Sequence, residues 1–291
     1  MSYTSNLTNH NPTKYQTNAS FVYSSQNSSP IFELLDAKKG EKIIDLGCGT
    51  GELTIQIKDL IGDEGEIIGI DSNESMLKSA KESTLSLNKK INYLKADIQD
   101  FDFFKLNYPE LKGKFDKVFT SATLHWCKSN PINVIKLIKW LLNSNGKFIF
   151  EFGGFGNVVG IRSAIHQVLR TRNIDPIPID PWYFPTDKQY EKLLKSNGLT
   201  PGLIKLFPRP TALPTNLKGW LGTFARNSFL SNLSDQDSDE ILNQVVEICR
   251  IDNYWSNENP GIGIKSINNL SKDEEGWEVM YVRLRGSAIN S

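Results

Sequence analysis

The sequence predicts an α/β protein: a doubly wound, mostly parallel seven-stranded sheet with helical cap insertions between its late strands. Three observations predict it. Short apolar strands alternate with helices of about 10–15 residues from residue 42 to 152, the pattern of βαβ crossovers. The first strand runs straight into a glycine turn, 47–51 (GCGTG), with a helix at once behind it. Folds of this class bind ligands at such a place, off the carboxyl ends of the strands. After residue 153 the alternation loosens: helical and Pro-rich stretches precede the sixth strand, and about 70 residues with two helices separate it from the seventh.

The elements follow in order. Residues 1–14 are polar and predict a disordered tail, whereas 15–22 (YQTNASFV) places three large groups close together and predicts packing. Ile31, Phe32, Leu34 and Leu35 suit a short helix that ends near Gly40. Strands are predicted at 42–46 (KIIDL), 66–71 (EIIGID), 91–96, 115–121 (FDKVFTS) and 146–152 (GKFIFEF). Apolar spacing predicts helices over 52–61, 72–87 and 131–142. Beyond them, 157–172 reads as helix, and Thr186 as the N-cap of a helix that Asn197-Gly198 stops. A sixth strand is expected at 203–207 and a seventh at 277–284, with helices near 215–228 and 235–250 between them. No linker composition divides the chain, so one domain is expected over 15–291.

Composition narrows the function classes. Lys plus Arg and Asp plus Glu both number 33, and a general nucleic-acid or anionic-membrane binder carries a basic excess instead. Cysteines at 48, 127 and 249 cannot form a disulfide framework and imply a reducing, cytoplasmic setting. The three histidines (His10, His125, His166) are not spaced with a Cys or another His as metal pairs are, so no metal is expected. No apolar run approaches the roughly 20 residues that span a bilayer. The first 30 residues lack an apolar signal core and any arginine, which disfavours secretory and mitochondrial targeting.

The glycine turn is the sharpest signal. Glycine admits backbone torsions closed to other residues and lets a ligand touch the main chain, and the helix start behind it offers unpaired N–H groups. Asp71 ends the next strand, twenty residues past Gly51, where an acid can hold a ribose diol. Asp71 or Ser72 is equally placed to cap the following helix. A dinucleotide fingerprint needs a third glycine at position 52. That residue is Glu52, which disfavours NAD and FAD.

Residues 43–54 (IIDLGCGTGELT) resemble the first motif of class I S-adenosylmethionine-dependent methyltransferases, and 67–77 (IIGIDSNESML) resemble the second. Ala96-Asp97-Ile98 resembles the third, Phe115 through Trp126 the fourth, and 146–150 the strand that follows. The resemblance implies a sheet whose last strand is antiparallel, S-adenosylmethionine as cofactor, and a cofactor-binding half over about 31–152. It places Asp45, Gly47, Cys48, Gly49 and Gly51 around the methionine part, with Cys48 contributing backbone alone. It places Asp71 on the ribose, Ser72 and Met76 at the adenine, and Asp97 with Ile98 at its far edge. Met76 also reads as a core residue at helical spacing.

The segment 121–126 (SATLHW) resembles that of the trans-aconitate methyltransferase branch, with Ser121 where Asn is usual. His125 is the one histidine placed for a general base, or it packs a site wall with Trp126. Methyl transfer to a carboxylate or free amine needs no base, because positioning supplies much of the rate, whereas a hydroxyl must lose its proton. The insertions at about 153–185 and 209–275 are expected to cover a small-molecule acceptor, with Tyr15, Trp126, Trp182, Arg162 and Arg209 as candidate contacts. All eight arginines fall after residue 161, and the guanidinium fork suits a carboxylate. The expected activity is methylation of a small molecule, a carboxylate on oxygen being favoured. The alternatives are a protein acceptor, or a cofactor-binding protein without turnover.

Overall fold

The computed structural model describes residues 12–256 and 275–291. They fall into two compact units. A sheet unit comprises Val22–Phe155, Trp182–Phe207 and Arg283–Ser291, and a helical unit comprises the described residues of Met1–Phe21, Gly156–Pro181 and Pro208–Val282.

Strands β1 (Lys42–Leu46), β2 (Glu66–Asp71), β3 (Asn92–Lys95), β4 (Phe115–Ser121) and β5 (Leu142–Gly153) form the parallel part of the sheet. With β6 (Thr200–Ala212) and β8 (Glu275–Ile289) the order is β3-β2-β1-β4-β5-β8-β6, and β8 runs antiparallel to β5. The chain steps outward from β1 to β3, then returns to the other side of β1 for β4. In doubly wound folds such a reversal marks the ligand-binding edge, which here falls at the carboxyl ends of β1 and β4.

Apolar pairs along the strands explain the double winding, because neighbouring side chains point to opposite faces. Ile43, Ile67, Phe119 and Ile149 pack with α2 (Ser25–Leu35) and α3 (Glu52–Ile61) on one face. Their neighbours Ile44, Ile68, Val118 and Phe148 pack on the other with α5 (Phe101–Asn107), α6 (Pro131–Leu141) and α8 (Asp187–Ser196). Each fully buried side chain of this kind stabilises the fold by about 1.5–3 kcal/mol. Helix α4 (Glu74–Ser86) buries Met76, Leu77, Ala80 and Thr84.

The differences from expectation have local causes. The helix predicted from residue 72 starts at Glu74, because the Asn73 side chain accepts from the N–H groups of Ser75 and Met76 and caps it. Strand β5 begins at Leu142, paired with Phe115 across a register shift, and the polar residues 143–145 hid that start. Strand β6 runs on to Ala212 through Pro208 and Pro210. Proline removes a ladder donor but is tolerated at a sheet edge, and β6 ends the strand order. Helix α5 (FDFFKLN) lacks a clean apolar period and was not predicted, although Asp100 caps it by accepting from Phe103 N–H at 3.0 Å.

In the helical unit, α7 (Val159–Thr171) packs against α10 (Asp235–Asn253). Helix α7 buries Ile161, Ile165 and Val168, and α10 buries Ile241, Leu242 and Val245. Helix α9 (Leu217–Phe224) buries Trp220, whose indole N–H donates to the Tyr281 hydroxyl at 2.5 Å. Helix α1 (Pro12–Ala19) packs on α9, and Asn18 Nδ2 donates to Thr223 Oγ1 at 3.0 Å. Residues 12–14, expected in the disordered tail, thus form the first turn of α1. The rest of that tail lies outside the described residues, as does the side chain of Tyr15. A short strand β7 (Tyr254–Ser256), also unpredicted, pairs antiparallel with β8 at Trp277.

Candidate active site

The glycine turn is bound into the sheet by its own backbone. Gly47 and Cys48 N–H both donate to Ile70 O, at 2.7 and 2.9 Å, so the end of β2 holds the turn in place. Gly47, Gly49 and Gly51 have φ of 76°, 55° and 86°, values that cost other residues strain. At two of the three, neighbouring protein also forbids a side chain. A Cβ on Gly47 would stand 2.2 Å from the Thr123 side chain, and one on Gly51 would stand 2.8 Å from the Tyr93 hydroxyl. Thr123 Oγ1 donates to Gly47 O at 3.1 Å and so joins the β4 end to the turn. Thr50 Oγ1 donates to Glu52, which places a carboxylate in the first turn of α3.

Asp71 is wired to the same turn. Its Oδ2 accepts from Gly49 N–H at 2.9 Å and its Oδ1 from Asn73 N–H at 2.8 Å. The cap of α4 is Asn73, so Asp71 and Ser72 are both free of that role. Burial raises the Asp71 pKa, while the N–H groups of Asn73, Gly49 and Ser72 pull it back down. Beneath the turn, Asp45 is 2% exposed and accepts from Thr54 Oγ1 at 2.6 Å. Burial pushes its carboxyl up to about 7, the Asp71 charge adds to this, and the Thr54 bond opposes it. Cys48 is buried, and burial with the nearby Asp45 and Asp71 charges pushes its thiol well above the usual range. A thiol so disposed is no nucleophile.

The other residues expected at this edge are all in the sheet unit. Met76 and Ile98 are buried, Ser72 and Ser121 half-buried, and Asp97 is exposed after β3, where its Oδ1 accepts from Gln99 N–H at 2.9 Å. Ser121 ends β4 opposite Glu151. Ala122 next to it has φ of 56°, an uncommon conformation for a non-glycine residue.

His125 and Trp126 follow in a 3-10 turn. The chain returns at Trp182–Phe184 to lie against them, and Tyr183 N–H donates to His125 O at 2.8 Å. The ring centroids of His125 and Phe184 lie 6.0 Å apart, those of Trp126 and Trp182 6.2 Å, and Trp182 stacks on Phe184 at 5.6 Å. Gly153 N–H, at the end of β5, donates to His125 Nδ1 at 3.3 Å. Sequence reasoning missed Thr54, Thr123 and Gly153 as partners of the site. Thr54 and Thr123 lie inside the motif segments 43–54 and 121–126, but the bonds they make to Asp45 and Gly47 are visible in the folded chain alone, as is that of Gly153 to His125.

Arg162 and Arg209 lie in the helical unit. Arg162 Nε donates to Asp180 Oδ2 at 2.6 Å, and His166 Nε2 meets the same oxygen at 2.9 Å. Arg209 is half-buried on β6. Of the other arginines, Arg172 pairs with Glu240, Arg226 with Asp235 and Asp239, and Arg285 with the buried Glu151 at 2.5 Å. No group of three or more His, Cys, Asp or Glu among the described residues could hold a metal ion. No helix among them is long and apolar enough to cross a membrane.

A nucleoside cofactor with an amino-acid tail fits this donor set. The turn presents backbone at positions where side chains are excluded, and Asp71 presents a carboxylate with acceptor capacity beyond the bonds it makes. Comparison with known proteins agrees. Residues 37–154 match the family model described as a methyltransferase domain. The chain is 30% identical over 250 residues to uncharacterized methyltransferase C70.08c of Schizosaccharomyces pombe, covering 83% of this chain and 91% of that protein. In fold it resembles YcgJ of Bacillus subtilis (TM-score 0.58, 14% identity, 91% of this chain and 98% of that one). It also resembles geranyl diphosphate C-methyltransferase of Streptomyces coelicolor A3(2), solved with S-adenosyl-L-homocysteine (TM-score 0.50, 14% identity, 91% and 80%). The chain therefore belongs to the class I S-adenosylmethionine-dependent methyltransferases, and S-adenosylmethionine is its cofactor.

Proposed function

We propose that this methyltransferase acts on a small-molecule acceptor and methylates a carboxylate on oxygen. The observation that supports the reading is the set of rings in the sheet unit. His125, Trp126, Trp182 and Phe184 form one continuous group just past β4 and beside the glycine turn. Such a wall suits a small apolar body, with few polar groups to orient it.

When bound, the cofactor supplies a methyl group on a positively charged sulfur. In the proposed arrangement, the backbone of Gly47, Cys48, Gly49 and Gly51 holds its methionine part, with Asp45 beneath. Asp71 accepts the ribose hydroxyls. Ser72 and Met76 border the adenine, Asp97 and Ile98 contact its far edge, and Ser121 borders the site from β4. His125, Trp126 and Trp182 hold the acceptor and exclude water. A carboxylate acceptor is already ionised at neutral pH, so orientation is the main work left to the protein. The three free cysteines, all buried, support a reducing compartment such as the cytoplasm.

The test is a panel of small carboxylic acids, phenols, amines and one unstructured protein, each supplied with S-adenosylmethionine while release of S-adenosylhomocysteine is followed. Turnover with a carboxylic acid is expected. Turnover confined to the phenols, the amines or the protein would overturn the proposal. Tyr15, Arg162 and Arg209, in the helical unit, are judged by the same assay. An alanine variant that raises KM for the acid makes its residue an acceptor contact, and indifference of all three removes that role.

A further inference from the structure

We infer that Tyr93, on β3, is a positioning residue for the cofactor: its hydroxyl holds Gly51, and with it the glycine turn, in register with α4. The side chain reaches the turn because two glycines leave room for it. Gly69 stands beside Tyr93 in the pairing of β2 with β3, and a Cβ there would lie 2.7 Å from Cδ1 of the Tyr93 ring. The ring fills that place, and its hydroxyl ends at Gly51, 2.8 Å from where a Cβ of that residue would stand. Ala80 of α4 closes the same spot, its Cβ 3.0 Å from that point. Thr84, one turn further along α4, fixes the hydroxyl. Its Oγ1 lies 2.9 Å from the Tyr93 oxygen and 2.8 Å from Ala80 O. A threonine hydroxyl has one hydrogen and a carbonyl oxygen can only accept, so Thr84 donates to Ala80 O and Tyr93 donates to Thr84. Tyr93, Gly51, Gly69, Ala80 and Thr84 all belong to the sheet unit.

The consequence concerns the amino-acid end of the cofactor, and it rests on the reading that the glycine turn holds that part. Gly51 closes the turn and is the N-cap of α3, in the left-handed region at φ of 86°. Its N–H donates to Cys48 O at 3.0 Å, and its own oxygen accepts from Ile55 N–H at 2.9 Å. A shift of Gly51 therefore moves the turn and the helix start together. The adenine side has anchors of its own, since α4 starts at the Asn73 cap and buries Met76 and Leu77. Loss of the Tyr93 hydroxyl thus tells on the amino-acid end and spares the nucleoside.

The test compares two ligands that differ at that end: S-adenosylhomocysteine, and methylthioadenosine, which has the nucleoside and the sulfur but no amino-acid part. Calorimetry on the full chain gives both dissociation constants, and their ratio reads the hold on the amino-acid end. Melting curves establish that each variant is folded. Tyr93→Phe keeps the ring beside Gly69 and removes the hydroxyl. It should weaken S-adenosylhomocysteine by about threefold to tenfold, the worth of one neutral hydrogen bond, and leave methylthioadenosine unchanged. Thr84→Val should do the same, and the double variant should be no weaker than either single one, because both changes break one bond. A hydroxyl that serves the fold alone lowers the melting temperature and leaves the ratio as it is, or weakens both ligands alike. Either result overturns the inference, and so does full additivity of the two changes. Gly49→Ala, in the turn itself, separates this from failure of the underlying reading. A ratio that Gly49→Ala lowers and Tyr93→Phe does not removes the role of Tyr93 alone. A ratio that Gly49→Ala leaves unmoved removes the turn as the holder of the amino-acid part, and the inference with it.

Discussion

Asp71 shows how one side chain connects binding to architecture. It holds Gly49 N–H with one oxygen and Asn73 N–H with the other, so the acid proposed for the ribose also fixes the turn proposed for the methionine part. Asp71→Ala should weaken S-adenosylhomocysteine binding by about 1.5–3 kcal/mol, as for hydrogen bonds to a charged group. Calorimetry measures the loss, with a melting curve to confirm folding. Unchanged affinity in a folded variant would end the ribose assignment. Asp45 yields a prediction of another kind. Its native pKa of about 7 lies above the ordinary carboxylate value near 4. Between those values the native state keeps a proton that the unfolded state has released. Its contribution to stability is therefore complete below about pH 4, falls as pH rises, and levels off above about 7. Asp45→Asn should flatten that decline, by at most about 4 kcal/mol. Denaturant unfolding of both proteins from pH 4 to 8 would show it, and parallel slopes would contradict it. Asp45 stood out through the resemblance of residues 43–54 to a family motif, and Asp71 through its place at the end of the strand after the glycine turn. Thr54, which holds Asp45, and Gly153, which holds His125, did not, because their roles arise from contacts that a linear pattern does not record.

At the scale of elements, legibility followed the purity of the apolar signal. Strands β1, β2 and β4 and helix α3 stand at the residues expected, since each is an apolar run closed by glycine or a polar turn. The start of β5, the full length of β6 and helix α5 were not legible. Pairing across the sheet extends the two strands through Asn, Ser and Pro, and tertiary packing of Phe104 holds the helix. Caps were readable where a side chain does the work. Thr186 accepts from Gln189 N–H at 3.1 Å while Gln189 Oε1 accepts from Thr186 N–H at 2.9 Å, a complete capping box on α8. Thr186→Ala should cost about 1 kcal/mol. A fall in denaturation midpoint at constant m-value would register it, and an unchanged midpoint would mean that packing of Tyr190 and Leu194 alone holds the helix.

For the whole molecule, the decisive feature is the strand order. Reversal between β3 and β4 brings the ends of β1, β2 and β4 together, and with them the glycine turn, Asp71, Ser121 and His125. That convergence was legible from the alternation of strands and helices. The division into two units was not, since no linker marks it, and the helical unit is assembled from segments far apart in the chain. The ring group proposed to hold the acceptor was equally hidden from composition, because aromatic residues on separate segments come together only when Trp182–Phe184 folds back on His125 and Trp126. The most direct test is transfer of a labelled methyl group from S-adenosylmethionine into a metabolite extract, followed by treatment of the product with alkali. Carboxylate methylation predicts an ester, so the label should leave as volatile methanol. Label that stays bound to the product after alkali would place the methyl group on a hydroxyl, nitrogen or carbon, and would contradict it.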